Sequence, residues 1–303
     1  MLAISSNIYN ETIVPKPSYL GIRLTLLKTF SEKLANSTDS AKSLVCIGLD
    51  PDLTKMPIND VFAFNQSIID STADLVCAYK PNFAFYEALG INGLVALERT
   101  VNYIKDQSPH VVIIGDCKRG DIGPSSVAYA TSMFQVWGFD AVTINAWGGK
   151  DTVEAFISDD KYGAFIWCRG SNPGSSDLQD LIIESEGRNK PLYEHLATIS
   201  TNWGQGNLGL VVGATVPEQL RVVRALCPDS PILIPGIGAQ GGDLEASVLY
   251  GVNAHGRSAI ISSSRGILYA SSGTDYPIAA REKTLQLKSE INAILEESDK
   301  GWP

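Results

Sequence analysis

His110-Val111-Val112-Ile113-Ile114-Gly115-Asp116-Cys117-Lys118-Arg119-Gly120-Asp121 is an apolar run that ends in a burst of charge. A strand that is apolar on both faces needs cover on both, as in a parallel sheet flanked by helices rather than in a half-wet antiparallel one. Seven other short runs rich in Val, Ile and Leu share the pattern, at 43–50, 75–82, 141–145, 163–169, 208–214, 231–236 and 259–264. Between them lie segments with helical spacing. Residues 59–72 follow Pro57, and 92–106 carry Leu94, Leu97, Val101 and Ile104 on one stripe. Residues 217–227 open on Pro217, which the first helical turn tolerates. Further helices are expected at 125–137, 151–158, 191–203, 242–252 and 276–298. Eight strands, each followed by a helix, predict a single closed (β/α)₈ TIM barrel.

An amphipathic segment at 21–36 predicts an extra N-terminal helix under the barrel. Residues 1–20 read as an arm and 21–303 as the barrel, with no linker that would split it. Residues 171–190, rich in Ser, Asn, Asp and Gly, are expected to form one long irregular loop, which serves either as a cover for the site or as an insertion.

Composition narrows the partners. With 44% hydrophobic residues the 303-residue chain can build a large core. No apolar run approaches the ~18 residues of a membrane span, and the first twenty lack the features of an export signal. A cytoplasmic protein without a membrane partner is expected. The net charge of −9, without a dense Lys/Arg block, argues against nucleic acid. A small anion would have to find a local cationic pocket. The five cysteines are odd in number and form no CxxC pair, so they read as reduced, mostly buried thiols. The three histidines are too scattered to suggest a metal site, and no Gly-x-Ser-x-Gly elbow or Cys/His nucleophile pair occurs.

In such a barrel the reactive groups stand at the C-terminal strand ends. There the chain carries Asp50, then Lys80, then Asp116 with Lys118 and Asp121, and finally Ser264-Arg265. Alternation along a strand turns Asp116 and Lys118 toward the barrel axis and Cys117 toward the helices. Asp121 lies in the turn beyond, where it either caps a helix, closes the site or reaches a neighbouring subunit. Three carboxylates and two ammoniums on adjacent strands are costly to desolvate unless a site uses them. An ammonium between carboxylates is held in its charged form, so Lys118 suits proton donation better than Schiff-base chemistry.

The run Pro235-Gly236-Ile237-Gly238-Ala239-Gln240-Gly241-Gly242-Asp243 contains a formal GxGxxG. The dinucleotide reading fails for want of an acid about 20 residues on, because no Asp or Glu occurs between Glu245 and Asp275. Loops after the seventh and eighth strands instead suit phosphate, with Arg265 supplying a guanidinium fork. Ser171-Asn172-Pro173-Gly174 and the inward-facing polar groups of Thr143-Ile144-Asn145 stand at two further strand ends.

These motifs, in order from 43 to 270, resemble the orotidine 5′-phosphate decarboxylases. The resemblance is to the longer bacterial type, in which Asp-x-Lys continues as Arg-Gly-Asp-Ile-Gly. Two departures are Asn145-Ala146-Trp147, where Pro-Tyr is common, and Gly170, where Thr is usual. The resemblance implies cofactor-free, metal-free conversion of orotidine 5′-monophosphate to uridine 5′-monophosphate in pyrimidine biosynthesis, by a homodimer with shared active sites. It assigns protonation of the pyrimidine C6 carbanion to Lys118 and places Asp116 beside the departing carboxylate. Lys80 orients Asp116, Asp50 binds ribose hydroxyls, and Asp121 arrives from the other protomer with Ile122 and Ser125. Ser171 meets the pyrimidine amide, Gln240 and Arg265 hold the phosphate, and Pro235 and Ser264 complete the substrate contacts. The alternative is a related metal-dependent barrel lyase that acts on a sugar phosphate, similar to hexulose-phosphate synthase.

Overall fold

Eight parallel strands pair edge to edge around a closed barrel, in a computed structural model that describes residues 28–238 and 241–303. They are β1 (Val45–Leu49), β2 (Ala78–Pro81), β3 (Val112–Arg119), β4 (Ala141–Ile144), β5 (Gly163–Arg169), β8 (Leu208–Val212), β9 (Ile232–Pro235) and β10 (Ala259–Ser263). The last pairs back to the first, with Val45 opposite Ile261. Seven lie inside the expected runs, and β3 passes the expected end of its run, Lys118, by one residue.

The side chains alternate between two cores. Cys46, Ala78, Val112, Ile114, Ala141, Phe165, Val211, Leu233 and Ile260 pack together inside the barrel. Their neighbours one step along, among them Val45, Ile47, Tyr79, Ile113, Val142, Ile166, Leu210, Ile234 and Ile261, join the core under the helices. This strict period of two is what aims alternate residues at the barrel mouth.

The helices follow the strands closely: α1 (Phe30–Ala41), α2 (Val61–Thr72), α3 (Phe83–Glu87), α4 (Gly90–Gln107), α5 (Gly123–Thr131) and α6 (Lys150–Ile157) in the first half. The second half carries α7 (Ser176–Gln179), α8 (Leu192–Ser200), α9 (Pro217–Leu226), α10 (Leu244–Gly251), α11 (Arg265–Leu268) and α12 (Tyr276–Glu297). Asp60, Asn82 and Asp243 start three of them by accepting a backbone N–H of the first turn. Among the described residues no helix is long and apolar enough to cross a membrane.

Three expectations need correction. The extra N-terminal helix begins at Phe30, behind a capping box between Thr29 and Glu32. It passes Asn36 and ends at Ala41, because Lys42 takes the left-handed C-cap conformation at φ +43°. Phe30 meets Phe165 edge-on at 5.9 Å and Leu34 joins the inner core, so α1 does plug the barrel's N-terminal end. The expected arm at 1–20, residues 21–27 of the expected helix and Gln240 lie outside the described residues.

Residues 171–190 are not irregular. A 3₁₀ turn (Pro173–Ser175), α7 and an antiparallel hairpin of β6 (Ile182–Ser185) and β7 (Arg188–Pro191) account for most of them. Glu186 and Gly187 form its two-residue turn, both at positive φ, as a type I′ connection requires. Finally, the expected 125–137 helix is α5 continued by a π-helical turn, Ser132–Val136.

Candidate active site

The inner faces of most strands, followed to their C-terminal ends, change from apolar to polar. Two residues beyond Ala78 stands Lys80, beyond Ile114 Asp116, beyond Ala141 Thr143, and beyond Phe165 Trp167 and then Arg169. Pro235 follows Leu233, and Ser262 and Ser264 follow Ile260. All of these line a cavity of about 240 Å³ at the barrel mouth, together with Asp50, Asn82, Lys118, Ser171 and Arg265.

An ionic array sits at its floor. Lys80 Nζ donates to Asp116 Oδ2 at 2.8 Å, and Lys118 Nζ donates to Oδ1 at 2.6 Å. Lys80 and Asp116 are both buried, whereas the Lys118 side chain is 38% exposed toward the mouth. Burial alone would favour a neutral Asp116, but the Lys80 and Lys118 ammoniums outweigh it and hold the carboxyl well below the usual carboxylate range. Burial likewise opposes the Lys80 charge, and the Asp116 and Asp50 carboxylates override it, raising its pKa above the ordinary lysine value. Lys80 and Asp116 are therefore a fixed pair of opposite charges at neutral pH.

Lys118 reaches this position through an irregular backbone. The β3–β4 register shifts between Gly115 and Arg119, and Lys118 stands at φ +45°, where residues with a Cβ are uncommon. Plain alternation is thus the wrong account of Lys118, although its side chain does enter the site. Cys117 behaves as expected: it packs against the outer core and its Sγ contacts the Thr143 carbonyl.

Around the floor, Ser264 Oγ donates to Asp50 Oδ2 at 2.7 Å, while Asp50 Oδ1 is buried without a donor among the described residues. That leaves an acceptor suited to a ligand hydroxyl. On the far side, Gly236, Gly238 and Gly241 all have positive φ, and an Ile237–Gly242 bridge closes their loop beside Arg265. On β5, Arg169 grips Asp180 with two bonds of 3.0 and 2.8 Å and also bonds the Gly170 carbonyl and Ser175. This fork folds the start of the loop over the mouth. Ser171 packs so closely on the end of β8 that a Cβ on Gly213 would lie 2.7 Å from its Cα.

Of the residues singled out in the sequence, Asp50, Lys80, Asp116, Lys118, Ser171, Pro235, Ser264 and Arg265 converge on this cavity. Asp121, Ile122 and Ser125 do not line it; Asp121 accepts only its neighbour's N–H, from Ile122, among the bonds described, and Ile122 is exposed. Sequence reasoning turned Thr143 inward without giving it a role, and gave none to Asn82, Trp167, Arg169 or Ser262. The period-two register of each strand would have pointed to the last three.

A model of the orotidine 5′-phosphate decarboxylase / HUMPS family matches residues 43–275. A curated orotidine 5′-phosphate decarboxylase from Cellvibrio japonicus is 47% identical, covering 87% of this chain and 98% of its own. One from Dehalococcoides mccartyi is 48% identical, over 87% of this chain and 97% of its own. The solved structure of Leishmania donovani OMP decarboxylase superposes with a TM-score of 0.76 at 36% identity, covering 88% of this chain and 99% of that one.

Proposed function

The chain belongs to the orotidine 5′-phosphate decarboxylase / HUMPS family, and on that premise we propose that it decarboxylates orotidine 5′-monophosphate to uridine 5′-monophosphate at the Lys80–Asp116–Lys118 array. The observation that carries the reading is the pair of ammoniums on one buried carboxylate, opening into a cavity whose other end holds Arg265 and the glycine loop. When the bond from C6 to the carboxylate breaks, CO₂ leaves and the electron pair stays on C6. That carbon has no adjacent carbonyl to delocalise the charge, so a preformed cation is the effective stabiliser. The Lys118 ammonium then gives its proton to C6 and recovers one from solvent. Lys80 holds Asp116 in place from the opposite oxygen.

In this reading Asp50 takes ribose hydroxyls, Ser171 meets the pyrimidine amide, and Arg265 with Gln240 holds the phosphate, with Pro235 and Ser264 alongside. Phosphate binding far from C6 can order the loops and so raise turnover rather than affinity alone. Asp121, Ile122 and Ser125 serve the site of a second copy in a homodimer. Their absence from their own chain's cavity supports this assignment, as do the exposed apolar side chains of Ile122, Val127 and Trp147.

The metal-dependent lyase is less well supported. Eight curated relatives at 43–48% identity are orotidine 5′-phosphate decarboxylases. Both oxygens of Asp116 also already accept ammonium protons, which a divalent cation would have to displace. The test is loss of orotidine 5′-monophosphate ultraviolet absorbance on adding protein. Activity should persist in excess EDTA and vanish in Lys118→Ala; loss with EDTA, or survival of the variant, overturns the reading.

A further inference from the structure

One buried hydroxyl occupies the centre of the bulge that carries Lys118. Thr143 Oγ1 accepts the backbone N–H of Cys117 at 3.1 Å and that of Lys118 at 3.0 Å, and it donates to Asp116 Oδ1 at 2.8 Å. A hydroxyl offers one donor and two acceptor sites, so its capacity is used in full.

The arrangement answers a backbone problem. Where the β3–β4 register shifts between Gly115 and Arg119, the ladder leaves the intervening amides without their strand partners. Buried amides need an acceptor, and the Thr143 side chain takes the place of a strand carbonyl. The ladder resumes beyond it, with Asn145 N bonded to the Arg119 carbonyl at 2.8 Å. The third bond sets the rotation of the Asp116 carboxylate, so that Oδ1 faces Lys118 and Oδ2 faces Lys80.

We infer that Thr143 is a positioning residue for proton transfer: its hydroxyl fixes both the backbone of Lys118 and the carboxylate against which the Lys118 ammonium rests. The inference builds on the decarboxylase reading of this site. A residue that only filled the core would tolerate an isosteric apolar replacement, since Thr143 is buried and Val matches its shape. A positioning residue would not, because near-attack geometry is sensitive to shifts of about 1 Å, which can cost on the order of 10²-fold in rate.

The experiment compares wild type with Thr143→Ser, Thr143→Val and Thr143→Ala. It measures kcat and KM for orotidine 5′-monophosphate, the Kd for uridine 5′-monophosphate and the thermal midpoint. Thr143→Val should lose about 10²-fold in kcat, with Kd for the product little changed. Thr143→Ser keeps one donor and two acceptors and should stay within about threefold of wild type. Should Val be too crowded to fold, the smaller Ala variant carries the same expectation. Wild-type kcat in a folded Val or Ala variant, an equal loss of product affinity, or no rescue by Ser overturns the inference. Unfolding of both apolar variants does so too, since Thr143 would then be structural. An inactive wild type refutes the decarboxylase reading instead, which keeps the two failures apart.

Discussion

Lys80 on β2 donates to Asp116 on β3 at 2.8 Å, and this pair lies deep in the barrel while the second lysine on the same carboxylate lies nearer solvent. The two lysines are thereby divided between support and reaction. Lys80 neutralises and steers the carboxylate from below, leaving Lys118 free to move toward a substrate carbon.

Removing the support should cost both stability and rate. Lys80→Met leaves Asp116 Oδ2 facing an apolar group in a buried site, and breaking a buried ion pair from one side costs roughly 3–5 kcal/mol. Urea unfolding should show a loss near the lower end of that range, because Lys118 remains as a partner. Turnover should fall by at least about 10²-fold, as for loss of a preorganised electrostatic group. An unchanged unfolding midpoint would contradict the burial argument.

The same pair predicts a pH dependence with a definite sign. The folded-state pKa of Asp116 is depressed, so its contribution to stability is complete above its unfolded value, about 4, and is lost progressively as pH falls through the folded value. That of Lys80 is raised, so its contribution is complete below about pH 10 and is lost only as pH climbs through the folded value. The stability difference between wild type and Asp116→Asn should therefore be flat from pH 5 to 8 and shrink below about pH 4. Denaturant titrations across that range would test it, and a difference that instead grew toward acid would refute the sign.

Arg169 and Asp180 should control the loop over the mouth. Asp180→Asn removes the charge from a bidentate pair that anchors residues 170–180. We expect KM to rise about tenfold, near the value of one charge-assisted bond, with a smaller change in kcat and faster amide exchange in 171–180. Unaltered exchange there would show that the fork is not what orders the loop.

Sharing of sites can be tested by mixing. Equal amounts of Lys118→Ala and Asp121→Ala protomers, each inactive alone, should recover activity after subunit exchange. Random pairing in a two-fold dimer restores at most about one quarter of the sites. No recovery despite proven exchange would place Asp121 in its own chain's site.

The thiols should be inert in the native state. All five cysteines are free and four are buried, and burial pushes Cys46 up to about 12 and Cys117 up to about 11, so neither forms a thiolate near neutrality. Iodoacetamide at pH 8 should label them only after denaturation. Rapid native labelling of Cys117, the one that is half-buried, would contradict its packing against the outer core.

Most of the barrel was legible because its strands are locally coded. The fifth, Gly163–Arg169, coincides with its expected limits, and the inner and outer faces follow from period two alone. The hairpin at Ile182–Pro191 was missed because its side chains are largely exposed, so no apolar run marks it. Its signal was the Glu186-Gly187 turn. Arg169 was visible as a strand end but not as a loop anchor, since Asp180 is eleven positions away and meets it only when the loop folds back.

The amino-acid order by itself determined the eight strands, their inward and outward faces and the placing of Asp50, Lys80, Asp116, Lys118 and Arg265 at one end, because each depends only on periodicity within a few residues. Only the tertiary structure decided that Asp116 is shared by two lysines, that Lys118 sits on a left-handed bulge and that Thr143, 25 positions away, supports it. The reason is physical. A register shift and the buried amides it exposes arise between strands, so period two turns Thr143 inward but only proximity in space gives it the task of satisfying them.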